Sequence, residues 1–489
     1  MTVASQYTAI FVVVGLIFSG LLALALVLSR NRALVFMVFL VIGLAFPLHK
    51  QIGRLDFTVR SGAPGYLVSL TMVLLVVLYG MWFADGTFKR DAVRALRRPV
   101  FWVPPIALLL SSFSMIRAVD DYLAISHVFY MLVTYALFFY FGARVRSRSE
   151  VLWIAASMGM IVLIEAPIVL IQKYTGGFFG VSLLGVSTSL TRVSEIGDVN
   201  RPPGTLIHPG FLAIVVAMVA LLALGLALFH TNRWVRLGGV AIVVVSLLEI
   251  YLTSTRGPFL GLIPAMAVMV AISAAQHRLS VRGWVTAIFL VVSVLLVFSP
   301  QLVKLYEVNF GQKQRFSNEV EARLQLNRVG ERMIESSPLV GVGLNNYMQV
   351  QQYFIEEPLY FRTYPAHNLF VLTTAETGLI GLAGLIAIGV SLAWNGLRLG
   401  LRRDPLGRAL GWTMIGVLLL NFIADQFSYN LRIEVPLNLF WIIAGLTMAG
   451  VRIQEDEQRE REASAEIPLP PAPPRSFDAP PGRRDAVPV

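Results

Sequence analysis

Apolar runs of about 16 to 22 residues recur along the whole chain, the length that crosses the hydrocarbon of a bilayer. A soluble core rarely needs such runs in number. Thirteen candidate spans fall near 8–28, 33–48, 65–84, 100–116, 121–142, 151–171, 210–229, 235–252, 257–275, 284–299, 367–394, 409–424 and 435–451. The chain therefore reads as an all-α integral membrane protein. We expect a polytopic helical bundle of about 12–13 transmembrane helices, with a large, partly helical loop on one face. Run 8–28 has no basic residue before it and exceeds a signal-peptide core, so it counts as a span. Run 33–48 is short, and twelve or fourteen crossings also fit the pattern.

Charge orients the bundle. One set of alternate loops carries Arg30 and Arg32; Lys89, Arg90, Arg94, Arg97 and Arg98; Arg144, Arg146 and Arg148; Arg233 and Arg236; Arg278 and Arg282; and Arg398, Arg402, Arg403 and Arg408. The short loops of opposite parity (49–64, 117–120, 253–256 and 425–434) hold only Lys50, Arg54, Arg60, Arg117, Arg256 and Arg432. The positive-inside rule makes the first set cytoplasmic. The net charge of +11 follows from these loops and does not call for nucleic acid. The absence of cysteine excludes disulfides, thiol catalysis and thiolate metal sites. Residues 1–452 form one transmembrane domain that includes the long outer loops 172–209 and 300–366. Residues 453–489 are charged and then proline-rich ("PLPPAPPRSFDAPPGRRD"), which predicts a disordered cytoplasmic tail.

The two long loops place any chemistry on the outer face, where three stretches stand out. In "NRPPGTLIHPGFLA", Arg201 precedes a rigid Pro-Pro-Gly turn and His208-Pro209 leads into a span. Proline favours the first turn of a helix, so Arg201 beside exposed helix N–H groups makes an anion site; an arginine on lipid headgroups is the competing reading. In "LTSTRGPFLGL", two antiparallel helices meet with almost no loop, pinning Arg256 near the hydroxyls of Ser254 and Thr255. Glu249 lies seven residues earlier and about 10 Å deeper, where an ionisable group needs a partner or a function. A snorkelling arginine above a structural glutamate is the alternative here. The third stretch is the end of the large loop. "SNEVEARLQLNRVGERMIESSP" predicts an amphipathic helix capped by Ser317 or Asn318, with Ala322, Leu326, Val329 and Met333 on one stripe and Arg323 beside it. Such a helix is expected to lie flat on the bilayer. "PLVGVGLNNY" and then "AHNLFVLTTAETGLIGL" follow.

His367 stands where the chain leaves water and begins a helix. A helix N-terminus disfavours the imidazolium, so a neutral ring is available as a base, or else serves as an ordinary headgroup contact. Asn368 is expected to cap or orient that entry. Glu376, nine residues on, is out of phase with His367 and roughly 13 Å deeper, so its partner must lie elsewhere in the bundle. Arginines holding a leaving diphosphate, together with a histidine base, make a metal-free glycosyl-transfer site that requires no cofactor. A sugar linked through diphosphate to a long lipid suits the outer face of a bacterial membrane, which has no nucleotide pool.

The segments "RPPGTLIHPGFLA", "STRGPFLGL", "PLVGVGLNNY" and "HNLFVLTTAETGLIGL" resemble, in this order, those of the O-antigen ligase/polymerase superfamily. The resemblance covers roughly residues 150 to 450. It implies a glycosyltransferase of the bacterial inner membrane, with its active site facing the periplasm and the large loop roofing it. The implied donor is an undecaprenyl-diphosphate-linked glycan, and the transfer is inverting and metal-independent. The acceptor is another glycan or lipid A-core, and membrane lipids and polysaccharide-assembly proteins are further candidate partners. By motif, Arg201 and Arg256 correspond to diphosphate-binding arginines, Arg323 to the basic residue opening the loop helix, and His367 to the proposed base. His208, Glu249, Ser254, Asn368 and Glu376 take supporting places. Two positions depart from the pattern: Asn327 stands where tryptophan is frequent, and Gly210 where asparagine is common. The "RPPGTLIHP" stretch and the long loop favour a polymerase of surface polysaccharide, O-antigen or exopolysaccharide. An O-antigen ligase or a protein O-oligosaccharyltransferase uses similar motifs. A lipid-glycan flippase or exporter, the reading from a different class, would not need His367 as a base.

Overall fold

The structure is a computed structural model that describes residues 18–46, 48–54, 62–175, 201–206, 208–277, 313–356 and 364–465. It is an all-α polytopic membrane protein. In chain order the helices are α1 (Phe18–Leu28), α2 (Arg32–Gly43), α3 (Leu70–Ala84), α4 (Phe88–Leu96), α5 (Val103–Ser112), α6 (Asp121–Arg144), α7 (Arg148–Thr175) and α8 (Pro209–Phe229). They continue with α9 (Arg233–Thr253), α10 (Arg256–His277), α11 (Lys313–Ser336), the single turn α12 (Tyr347–Val350), α13 (Leu369–Gly400), α14 (Pro405–Ala424) and α15 (Glu434–Ala465). Among the described residues, nine helices are long and apolar enough to cross a membrane, or ten if the bent pair α3–α4 is one span. The expected span at 284–299 and the start of 8–28 lie outside the described residues.

Burial follows composition. Helix α8, with a mean hydropathy of 3.0, is apolar on all sides and sits at the centre; residues 212–222 are buried without a break. It packs on α9, α10 and α14, while α6 packs on α15. The outer helix α13 shows Leu379, Ile386, Val390 and Trp394 at its surface, as lipid contact requires. Small residues set the close crossings: Gly225 lies against Ala409 and Thr413, and Gly261 against the Leu420 carbonyl.

Three expectations change. The segment read as a loop and the start of a span contains a hairpin, β1 (His49–Ile52) antiparallel to β2 (Tyr66–Ser69) with His49 opposite Ser69. Helix α11 begins at Lys313, ahead of the caps expected at Ser317 or Asn318. Its stripe of Ala322, Leu326, Val329 and Met333 is fully buried; Val329 and Met333 pack with Ala366, Leu369 and Leu372, so the start of α13 covers this face where lipid was expected. The boundary drawn at 453 also moves, because α15 stays helical to Ala465. Its acidic turn pairs with the bundle, Glu455 with Arg98 at 2.6 Å, Glu457 with Arg148 at 2.6 Å and Asp456 with Arg94, so the charge is matched and the helix persists. The proline-rich stretch from 466 lies outside the described residues.

Candidate active site

Helix α13 is broken nine residues below its start. Gly378 adopts φ 66°, ψ −172°, which interrupts the helical hydrogen-bond ladder. The loop Pro338–Gly343 fills the gap. Val342 N–H donates to the Ala375 carbonyl at 2.9 Å and Gly343 N–H to the Glu376 carbonyl at 3.0 Å. In return, Leu379 N–H donates to the Pro338 carbonyl at 2.8 Å. Gly341, at φ 76°, presses on the backbone of Glu376 and Thr377, where any Cβ would overlap it. "PLVGVG" and "AETGLIGL" are thus two halves of one interlock, and non-helical backbone at this depth is tolerable because each half completes the other.

Glu376 sits inside the interlock, fully buried. One carboxylate oxygen accepts from Arg432 at 2.5 Å and the other from the Tyr347 N–H at 3.3 Å. The partner required elsewhere in the bundle is Arg432, itself buried. Asn346, next to Tyr347, exchanges hydrogen bonds with the Asp120 backbone and fixes the loop to the start of α6.

Above this foundation, Asn368 caps α13: its Oδ1 accepts from Phe370 N–H at 2.9 Å and Val371 N–H at 3.2 Å. His367 lies immediately before the cap, half-buried between the rings of Tyr364 and Tyr429. Its Nδ1 lies 3.1 Å from the Pro365 carbonyl oxygen. A carbonyl can only accept, so in the neutral ring this contact assigns the proton to Nδ1 and the lone pair to Nε2.

His208 has the opposite tautomer. It caps α8, with Nδ1 accepting from the Gly210 N–H at 3.0 Å, which leaves the proton on Nε2. The residue is exposed, with protein groups packed around its ring. Loss of hydration, and then Arg201, the protonated form of His367, and Arg323, push its pKa down to about 4. Arg201, His367 and Arg323 thus each act on His208, which stays neutral near pH 7 as a donor.

Arg201 reaches the turn between α9 and α10. Its Nε donates to the Thr253 carbonyl at 3.2 Å and its Nη2 to Thr255 Oγ1 at 3.3 Å. The Arg201 loop is held from α7: the Gln172 amide makes two hydrogen bonds to the Gly204 backbone, at 2.8 and 2.9 Å. Glu165 accepts from the Thr205 N–H at 2.9 Å and from its hydroxyl. Ser254 takes a left-handed conformation, φ 52°, and turns the chain directly into α10, which Arg256 opens with an exposed side chain. The Thr255 hydroxyl thus serves Arg201, although the sequence placed it beside Arg256. Glu249 is buried below; among the described residues neither of its carboxylate oxygens has a hydrogen-bond partner, and it interacts electrostatically with Glu165. Arg323 leaves the polar flank of α11 and donates to the Phe427 carbonyl at 3.2 Å.

That last contact exposes what sequence reasoning missed. The turn between α14 and α15, "DQFSYNLR" (425–432), reaches His367, Asn368, Leu369, Arg323 and Glu376 through different residues. In the sequence it is only a short outer loop holding Arg432. Two of its contacts run through backbone carbonyls, which leave no motif to find, and the partners of its side chains lie far off in the sequence.

Residues 241–386 match the O-antigen ligase family model. Over that segment the chain resembles the O-antigen ligase/polymerase superfamily, and the match supports a ligase/polymerase-type function in general. The matched segment includes Glu249, Ser254, Arg256, Arg323, His367, Asn368 and Glu376, whereas Arg201, His208 and the 425–432 turn lie outside it. Comparison with curated proteins gives no match.

Proposed function

We propose that this chain is an inner-membrane glycosyltransferase working at the face opposite its arginine-rich loops, the periplasmic face by the positive-inside rule. The donor is an undecaprenyl-diphosphate-linked glycan, and the reaction extends surface polysaccharide chains. The observation that carries this reading is the tautomer of His367. A base must present a lone pair, and the Pro365 carbonyl leaves the neutral His367 ring with one at Nε2; His367, Arg201 and Arg323 each act electrostatically on His208. Nε2 takes the proton from an acceptor hydroxyl as its oxygen bonds to the anomeric carbon, and the bond from that carbon to the diphosphate oxygen breaks. The electron pair leaves on the lipid diphosphate, whose charge falls to the guanidinium groups of Arg201, Arg256 and Arg323. Attack from the face opposite the leaving group inverts the anomeric centre. His208, neutral and with its proton on Nε2, donates to a phosphate or sugar oxygen without adding charge.

The test uses purified protein in lipid with undecaprenyl-diphosphate oligosaccharide alone, resolved by length. A ladder of longer lipid-linked chains is expected. Transfer seen only after lipid A-core is added would assign a ligase, and transfer to neither would favour a protein acceptor or a flippase. A His367→Ala variant is expected to bind donor and fail to transfer; retained turnover would remove the base.

A further inference from the structure

The 425–432 turn converges on the candidate base from several directions. The Tyr429 ring meets the His367 ring edge-to-face at 5.4 Å. The Asp425 backbone carbonyl accepts from the Leu369 N–H at 2.9 Å, satisfying one of the N–H groups that a helix start leaves open. Gln426 Oε1 accepts from Asn368 Nδ2 at 3.1 Å, steadying the cap itself. The Phe427 carbonyl takes Arg323, and Arg432 enters the Glu376 pair below.

The turn has its own lock. Asp425 is fully buried, and its Oδ1 accepts from both the backbone N–H and the side-chain amide of Asn430 at 2.8 Å. This closes the segment into a loop, with Tyr429 immediately before the closing residue Asn430. Burial pushes the Asp425 pKa up to about 7 against the pull of those hydrogen bonds, so the carboxyl is held in place by structure at some electrostatic cost. Such a lock is out of proportion to a connector that has only to join two helices.

We propose that the 425–432 turn is a positioning element for the reaction, with Tyr429 setting the angle of the His367 imidazole and Asp425 holding Tyr429 in place. The inference rests on the reading of His367 as the base. A general base works only within hydrogen-bond reach of the proton it removes, so a ring free to swing loses rate while substrate binding stays intact.

The test compares Tyr429→Leu, Tyr429→Phe, Asp425→Asn and His367→Ala in lipid, using undecaprenyl-diphosphate oligosaccharide with and without lipid A-core. Tyr429→Leu is expected to lower kcat at least tenfold with KM within twofold of wild type. Tyr429→Phe, which keeps the ring edge, is expected to stay within about threefold of wild-type kcat. Asp425→Asn is expected to fall between them. A readout independent of turnover is the rate at which diethyl pyrocarbonate modifies His367, followed by peptide mass spectrometry. It should rise at least threefold in Tyr429→Leu and stay unchanged in Tyr429→Phe. Wild-type kcat in Tyr429→Leu, a loss confined to KM, or a Phe variant as impaired as Leu would overturn the positioning role. If no condition gives turnover, the modification rate decides alone, and an unchanged rate in Tyr429→Leu overturns it. Turnover retained in His367→Ala would instead overturn the base while leaving the modification result to judge the turn.

Discussion

Replacing Gly378 with alanine should unfasten the interlock. At φ 66° and ψ −172° the backbone occupies a region that essentially only glycine tolerates, and holding an alanine there costs about 1–3 kcal/mol. The added Cβ would also overlap the Leu339 carbonyl, pushing the loop away and opening the bonds from Leu379 N–H to the Pro338 carbonyl and from Val342 N–H to the Ala375 carbonyl. Each buried bond lost adds about 1 kcal/mol, for a total of roughly 3–5 kcal/mol. The control is Gly389→Ala on the same helix, where a Cβ meets nothing within 4 Å and the change should stay within about 1 kcal/mol. Denaturant unfolding of both variants in detergent gives the comparison, with glycan transfer measured alongside. Gly378→Ala should also lose at least tenfold in turnover, because Asn368 and His367 stand on the helical segment that the loop fastens. If the two alanine variants were equally stable and equally active, the interlock would not be holding the site.

The buried Arg432–Glu376 pair should show strong coupling: Arg432→Leu strands a carboxylate and should cost about 3–5 kcal/mol, and Arg432→Leu combined with Glu376→Gln should recover part of it in a double-mutant unfolding cycle. Gln172→Leu removes both amide bonds to Gly204 and loosens the Arg201 loop, so donor KM should rise several-fold with kcat little changed; an unaltered KM would detach Gln172 from Arg201. His208 gives a pH signature. Its folded pKa of about 4 lies below the ordinary 6.5, so the unfolded chain binds more protons between those values and stability falls as pH drops through that window. Thermal melts at pH 7.5 and 5.0 should show that loss in the wild type and a smaller one in His208→Asn.

The sequence announced the site where its signals are local. The polar start "AHN" before an apolar run marks the candidate base and the cap that Asn368 provides, and helical phase sends Glu376 to a partner elsewhere. The stripe on α11 was also legible, but amphipathicity specifies a face and not what covers it; the start of α13 does so here. Gly378 looked like an ordinary small residue in a span, because a broken helix and a close-packed one share the same letters. The acidic run Glu455–Glu457 read as solvated disorder since its partners, Arg94, Arg98 and Arg148, lie more than 300 positions upstream. Composition carries no record of such pairings. The 425–432 turn was least visible of all: two of its contacts are backbone carbonyls, which any residue can supply, and its side chains meet partners distant in the sequence.

The interlock also imposes an order of assembly. Loop 338–343 is synthesised before residues 375–380, yet neither has its hydrogen bonds complete until both are present. An unpaired carbonyl or N–H in hydrocarbon costs several kcal/mol, so α13 cannot settle as a finished span on its own. It must wait for, or carry in, the loop that preceded it from the ribosome. Faults in "PLVGVG" should therefore first register as protein lost to quality control during membrane insertion, before any enzyme exists whose rate could be measured.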